Sequence, residues 1–283
     1  MRAPSRAIVS AGLAVLSPTA FCQTPDPISA ETFITPPKEI ADAVLAPWYR
    51  NTSIGNLSPD RSYALQQEST GMPGIDQMGR QHYILGGTQI DPLAYRARRF
   101  SIRSGAGLSM LSLADRKTRK IETPKDAGVT NASWSPDGKW IGYLAHFDNG
   151  TFLYVADTAT GKSKRLLSAP LLATLVTDFE WTDDGKTIAA VLVPKGAKSP
   201  GNRPSAESPK VRVSDPKPKR LRTYAGLLET PHQMALLEHY STGQLALIDV
   251  ASGKVKEVGT PAMLTGLSAS PDGIVIRVTT MEN

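Results

Sequence analysis

A six-residue phrase recurs along this chain and restricts its possible folds more than any other feature. It reads Trp-Ser-Pro-Asp-Gly-Lys at 134–139 and Trp-Thr-Asp-Asp-Gly-Lys at 181–186, with shorter copies at Leu57–Arg61 and Ala269–Gly273. The aspartate can accept hydrogen bonds from its own backbone and glycine tolerates a positive φ, so the phrase is typical of a turn. A run rich in apolar, β-branched or aromatic residues follows each copy, as in strands. Such repetition indicates an array of similar small units.

A second turn phrase alternates with the first. It reads Asp157-Thr-Ala-Thr-Gly161-Lys162 and Asp249-Val-Ala-Ser-Gly253-Lys254, with a looser copy at Asp115-Arg116. Thr-Gly-Lys and Ser-Gly-Lys favour tight hairpin connections. One copy of each phrase therefore belongs to a unit of about four short antiparallel strands, which is the composition of one β-propeller blade.

The spacing of the first phrase sets the number of blades. Its aspartates, Asp60, Asp137, Asp184 and Asp272, are 77, 47 and 88 residues apart. The middle interval fits a bare blade, so we expect insertions near 70–104 and 194–242. An alternative is that the last interval holds two bare blades, but its proline-rich and lysine-rich stretch leaves too little strand-forming sequence.

These observations predict an all-β fold. We expect residues 51–283 to form a partial β-propeller of about three four-stranded blades plus the start of a fourth, with a short helical insertion. The helix is indicated by apolar residues that recur at helical spacing around Pro231. The last repeat stops at Asn283, so we expect a fragment, and an open arc of blades predicts self-association through uncovered sheet edges.

The N-terminus has the pattern of a secretory signal peptide. Arg2 and Arg6 precede an apolar run, Ala7–Leu16, that is shorter than the roughly 20 residues needed to span a bilayer. We expect residues 1–22 to be removed, 23–50 to lead into the propeller, and the chain to be exported to the periplasm or outside without a permanent membrane span. Cys22, the only cysteine, would leave with the signal, so no disulfide is expected.

The positive charge is concentrated in one segment. The chain has a net charge of +6, and Lys195–Arg222 is rich in lysine, arginine and proline. This composition predicts a solvated, disordered basic loop over 194–222 rather than a nucleic-acid site. A binding arm for acidic partners is the alternative.

Four other segments carry a resemblance to a known family. The blade phrases alone resemble both the Tol-system periplasmic propeller and the propellers of prolyl-oligopeptidase-family serine peptidases. Pro36–Pro47, Leu85–Pro92, Arg222–Tyr240 and Val255–Ala262 resemble, in order, the glutamyl-endopeptidase branch of the peptidases. In that family a propeller restricts access to a Ser-Asp-His triad in an α/β-hydrolase domain that follows it in sequence. The resemblance therefore implies a non-catalytic, substrate-gating propeller portion of a peptidase.

Two other readings compete with this one, a stand-alone periplasmic propeller that acts as a protein-binding scaffold, and a complete enzyme of unknown type. The chain lacks Gly-x-Ser-x-Gly, the turn that exposes a hydrolase serine; Gly107-Leu-Ser109 is the nearest match. We therefore name no catalytic residue and expect the chain alone to be inactive. His82, His146, His232 and His239 are dispersed, so no metal site and no cofactor are expected.

Three clustered arginines, Arg96, Arg98 and Arg99, are the candidate site residues. Arginine can hold a carboxylate with two parallel hydrogen bonds, so these side chains could line the inner mouth of the propeller and attract an acidic peptide side chain. The alternative is that they are solvated on a loop or paired with nearby acids.

Overall fold

The computed structural model describes residues 36–45, 51–70, 75–98, 105–201, 226–270 and 272–282. The chain divides into two units, residues 1–46 and 47–283. In the first unit the described element is helix α1 (Lys38–Leu45). The predicted signal peptide, Arg99 and residues 202–225 of the predicted basic loop lie outside the described residues. No helix in the described part of the chain is both long and apolar enough to cross a bilayer.

The second unit begins with a four-stranded antiparallel sheet that is interrupted by an insertion. Its strand order is β1-β2-β6-β7. The elements of this stretch are β1 (Asn51–Leu57), β2 (Tyr63–Ser69), α2 (Ile75–Met78), β3 (Tyr83–Leu85), β4 (Thr88–Asp91), β5 (Arg96–Ala97), β6 (Gly105–Ser112) and β7 (Thr118–Ile121). The insertion forms a separate small sheet, β3-β4-β5. We refer to the four-stranded sheet as blade I.

Blade II has no insertion and shows the repeat in its simplest form. Its strands are β8 (Gly128–Trp134), β9 (Trp140–Phe147), β10 (Gly150–Asp157) and β11 (Ser163–Arg165), paired in sequence order. The central pair, β9 and β10, is in continuous register from Trp140 opposite Asp157 to Phe147 opposite Gly150. Both turn phrases lie where they were predicted, between β8 and β9 and between β10 and β11.

Blade III repeats this order around a helix, and two further strands follow it. The elements are β12 (Glu180–Trp181), β13 (Thr187–Leu192), α3 (Pro231–Ser241), β14 (Thr242–Asp249), β15 (Val255–Glu257), β16 (Ala262–Ala269) and β17 (Ile276–Thr280). β16 and β17 form an antiparallel hairpin that begins a fourth repeat. The predicted partial propeller of three blades and the start of a fourth, with a helical insertion, is confirmed.

The first turn phrase folds in the same way in all four repeats. In blade II, the Ser135 hydroxyl donates to Asp137 Oδ1 at 2.7 Å, and the same oxygen accepts the Lys139 amide at 3.1 Å. The equivalent hydroxyl-to-carboxylate pairs are Ser58–Asp60, Thr182–Asp184 and Ser270–Asp272. Hydrogen bonds to the ionised carboxylate keep the pKa of Asp60, Asp184 and Asp272 below its usual range.

The second phrase folds with exchanged roles in blade I. In blade II, Asp157 Oδ1 accepts the Thr160 amide at 2.7 Å. In blade I the hydroxyl of Ser112 takes the place of Asp157, because Ser112 accepts the Asp115 amide and Arg116, at φ 59°, stands where Gly161 has φ 72°. Asp115 therefore corresponds to Thr160 and not, as its sequence suggests, to Asp157.

Two apolar clusters hold the three blades face to face. The cluster between blades I and II includes Leu108, Ile141 and Tyr143, which are buried. The cluster between blades II and III includes Leu153, Phe179 and Ile248. Trp134 and Trp181, which share one repeat position, are half-buried against these clusters.

Candidate functional site

The two insertions, far apart in sequence, pack against each other. Leu85 and Ile90 of the small sheet and Leu236 and Tyr240 of α3 form one buried cluster. The Gly87 amide also approaches the carbonyl of Gly226 at 3.4 Å. We call residues 75–98 together with 226–241 the accessory unit.

The start of α3 is fixed by its local sequence. The Thr230 hydroxyl accepts the Gln233 amide at 3.2 Å, and the Gln233 side-chain oxygen accepts the Thr230 amide at 3.1 Å. This reciprocal capping box, with Pro231 in the first turn, satisfies backbone donors that a helix leaves free at its N-terminus. The cap therefore orients Leu236 and Tyr240 toward the small sheet.

The accessory unit lies at one end of the blades. In blades I and III each insertion joins the second strand to the third, and in blade II the same connection is the short turn Phe147–Gly150. Equivalent connections of an antiparallel repeat lie at the same end of the sheets. Arg80 of the accessory unit reaches this turn, with Nη1 2.5 Å from Asp148 Oδ1 and Nη2 donating to the Asp148 carbonyl at 2.7 Å. The unit therefore spans three blades.

Arg96 is buried where the accessory unit meets blade II. Its side chain donates from Nη1 to the Phe147 carbonyl at 2.7 Å, and Nη2 lies 3.6 Å from Asp91 Oδ2. The residue is only 3% exposed. The same Asp91 oxygen is 3.4 Å from Arg80 Nη2. This is the geometry of the alternative interpretation, an arginine paired with a nearby acid.

The backbone beside Arg96 joins the accessory unit to the connection between blades II and III. The Ala97 amide donates to the Ala173 carbonyl at 2.8 Å, and the Ala173 amide donates to the Tyr95 carbonyl at 2.9 Å. Leu171, two residues earlier, bridges to Thr151 in blade II and to Leu192 in blade III. These contacts fix the small sheet against both blades.

Arg98 lies within the accessory unit and is half-buried. Its Nη1 donates to Gln89 Oε1 at 3.1 Å and lies 3.3 Å from His82 Nε2, while Nη2 reaches the carbonyl of Met78. Arg96 and Arg98 are thus in the same unit, and Arg99 lies outside the described residues. A gating role for the three arginines stays a prediction.

The histidines that could be located closely are packed in different places. His146 lies between two hydroxyls, 2.7 Å from Thr130 Oγ1 and 2.9 Å from Thr151 Oγ1. His239 packs edge-on against Tyr240 at 4.7 Å, and burial lowers its pKa. Among the described residues, no group of three His, Cys, Asp or Glu side chains comes close enough to hold a metal ion.

Sequence reasoning missed Glu180, on the first strand of blade III. Partial burial and the nearby charge of Asp178 raise the pKa of the Glu180 carboxyl, and a hydrogen bond from the Ala269 amide opposes this. The first strands of successive repeats are neighbours, so Glu180 faces the region where they converge. Only its position beside Trp181 of the turn phrase could have drawn attention to it.

The described part of the chain is thus a set of consecutive four-stranded blades with an accessory unit at one end, which defines a β-propeller protein. No protein-family model matches the chain. It is 30% identical over 281 residues to the probable chloroplastic glutamyl endopeptidase of Arabidopsis thaliana, covering 94% of this chain and 28% of the relative. It is 27% identical over 261 residues to the corresponding protein of Oryza sativa subsp. japonica, covering 87% of this chain and 27% of that one.

A solved structure gives a similar comparison. Uncomplexed acylaminoacyl peptidase of Pyrococcus horikoshii is 16% identical, with a TM-score of 0.43, covering 83% of this chain and 28% of that chain. The predicted resemblance to the propeller region of prolyl-oligopeptidase-family peptidases, closest to glutamyl endopeptidases, is confirmed. The chain spans less than a third of the length of these curated relatives.

Proposed function

We propose that this chain is the non-catalytic, substrate-gating propeller portion of an exported serine peptidase. A peptide substrate would reach the active site of the intact protein past the blades. The chain itself would contribute selection by size and by charge, and peptide-bond hydrolysis would belong to an α/β-hydrolase domain.

The observation that carries this proposal is the accessory unit. Two of the segments that resemble glutamyl endopeptidases, Leu85–Pro92 and Arg222–Tyr240, supply the β3-β4 hairpin and α3, which pack together. Propeller blades need neither segment for their own pairing. A unit held by Leu85, Leu236 and Tyr240 at one end of three blades is therefore suited to control access at that end.

The chain's own residues support a non-catalytic role. The nearest match to a nucleophile turn, around Ser109, lies within β6 and is paired with β2 and β7. A strand interior does not provide the strained, exposed turn that a hydrolase serine needs. Export is proposed from the N-terminal sequence, with the periplasm or the extracellular space as the destination.

The test is to purify the chain from Gln23 and incubate it with a panel of fluorogenic peptides, including glutamyl ones, and with a serine-directed fluorophosphonate probe. We expect no turnover and no labelling, for the wild type and for Ser109→Ala alike. Labelling of the wild type that is lost in Ser109→Ala would overturn the proposal, because the chain would then hold its own nucleophile.

The stand-alone scaffold is distinguished by a second measurement. The genomic sequence immediately downstream is read for an α/β-hydrolase frame that contains Gly-x-Ser-x-Gly. Its presence supports the gating proposal, and its absence supports a propeller that binds other proteins.

A further inference from the structure

A cation occupies the same position on the outermost strand of each blade. Arg119 in β7 pairs with Met110, Lys164 in β11 pairs with Val155, and Lys256 in β15 pairs with Leu247. These three pairs are equivalent, since each lies two residues beyond the closing turn residue Lys117, Lys162 or Lys254.

The first two of these cations make the same contact with the next blade. Arg119 Nη1 donates to the carbonyls of Thr158 and Ala159 at 3.1 and 3.0 Å. Lys164 Nζ donates to the carbonyls of Val250 and Ala251 at 3.1 and 3.2 Å.

In both cases the acceptors are the first two residues after the aspartate of the outer turn, Asp157 in blade II and Asp249 in blade III. The cation of each outer strand therefore reads the outer turn of the following repeat. Charged donors make the stronger class of hydrogen bond, so this contact helps to set the order of the blades.

Lys256 is the third member of the series, and its acceptors would belong to a fourth outer turn. The described fourth repeat has only the hairpin of β16 and β17, which are its first two strands. Lys256 is exposed, and no described carbonyl accepts from it.

The apolar residues of this face show the same missing cover. Leu153 and Val155 of β10 face blade III and are 0% exposed. Their equivalents in β14, Leu245 and Leu247, are only half-buried. Because the repeats are otherwise alike, the difference reflects what covers each face. Leu245, Leu247 and Lys256 thus form one surface, the outer face of blade III.

We propose that the outer face of blade III is a docking surface for a β-hairpin of the same repeat carried by a separate polypeptide. The hairpin would cover Leu247, and the two carbonyls after the aspartate of an Asp-x-x-Thr/Ser-Gly turn would accept from Lys256. Its first strand would extend the sheet at β17, which lies at the end of its strand order. The two interblade interfaces already present supply the template.

The experiment uses a synthetic peptide with the sequence of Gly150–Leu167, which holds β10, its turn and β11. The peptide is titrated into the folded chain, and binding is followed by fluorescence anisotropy and by hydrogen-exchange protection of the β17 amides. We expect saturable binding at concentrations up to about 1 mM, a range in which single short hairpins can be detected.

Two matched variants test the role of the cation. Lys256→Ala should weaken peptide binding about tenfold, as loss of a hydrogen bond from a charged group does, whereas Lys254→Ala should leave it unchanged. Both side chains are exposed, and equal melting temperatures would show that both variants fold.

Three outcomes would overturn the proposal. The first is no saturable binding of the peptide in this range, and the second is equal weakening by Lys256→Ala and Lys254→Ala. The third is a dimer of the chain alone that Lys256→Ala dissociates, because the occupant would then be a second copy of this chain.

Discussion

The indole Nε1 of Trp181 in blade III donates a 3.2 Å hydrogen bond to the hydroxyl of Ser133 in blade II. Trp134, at the same position one repeat earlier, donates at 2.7 Å to the Asn56 carbonyl of blade I. Ser133 and Asn56 each lie one residue before the start of the turn phrase. The tryptophan of the phrase therefore bonds to the preceding blade as well as filling the space between sheets.

A double-mutant cycle measures this bond. Trp181→Phe keeps an aromatic ring and removes the donor, and Ser133→Ala removes the acceptor. We expect a coupling free energy of about 1 kcal/mol between the two changes, because a typical intramolecular hydrogen bond contributes that much. Urea unfolding of the four proteins gives the value, and strictly additive losses would show that the bond adds nothing.

Arg96 should be a stability residue of the accessory unit. Arg96→Ala leaves Asp91 and the Phe147 carbonyl without a buried partner, which should cost about 3 kcal/mol. Arg80→Ala, at a more exposed side chain, should cost about 1 kcal/mol or less. Hydrogen exchange should place the loss in β3–β5. If Arg96→Ala leaves both stability and exchange unchanged, the ion pair has no structural role and a role in gating becomes the better account of Arg96.

The raised pKa of Glu180 predicts a pH-dependent gain in stability. The folded chain holds the proton of Glu180 more tightly than the unfolded chain, so this group favours folding at low pH, and the contribution is lost as pH rises through its folded pKa. Glu180→Gln should therefore stabilise the protein at neutral pH, and the gain should shrink as pH falls toward about 4, near the unfolded value.

Asp157 provides a control of opposite sign. Hydrogen bonds from Thr160 hold the pKa of Asp157 low, so its contribution is present at neutral pH and is lost as pH falls. Asp157→Asn should destabilise the protein at pH 7 and less so in acid. Chemical denaturation across this range checks both variants, and matching signs for the two would contradict the assignment.

The exposed edge of β17 should drive the predicted self-association. Val278 is 38% exposed on this strand, and Val275 just before it is 58% exposed. Charged residues on edge strands discourage pairing between chains. Val278→Lys should therefore reduce the associated fraction in size-exclusion chromatography with light scattering, while Val255→Lys on the already basic β15 should not. A wild type that is monodisperse and monomeric at all concentrations would refute the prediction.

The blades were predictable because their turns are local. Hydrogen bonds such as Ser135 to Asp137 span two residues, so a six-residue phrase carries the whole instruction for each turn. The helix was also predictable, since its cap joins Thr230 to Gln233. These signals gave the number of blades and the place of the helical insertion.

The accessory unit could not be predicted, for a physical reason. Leu85 and Leu236 meet across about 150 residues, and hydrophobic contact has no directional signature that a spacing could reveal. The burial of Arg96 depends on the same long-range packing. In blade I, the exchange of roles between Ser112 and Asp115 escaped notice because either side chain can accept from a turn amide.

The accessory unit also changes how the blades can come apart. A linear array of repeats, in which each unit touches only its neighbours, frays from its ends one unit at a time. Here a segment from blade I and a helix from blade III share a core, while Arg80 and Arg96 anchor that core to blade II. Opening blade I or blade III alone would break this shared core, so the three blades should unfold in a single cooperative step.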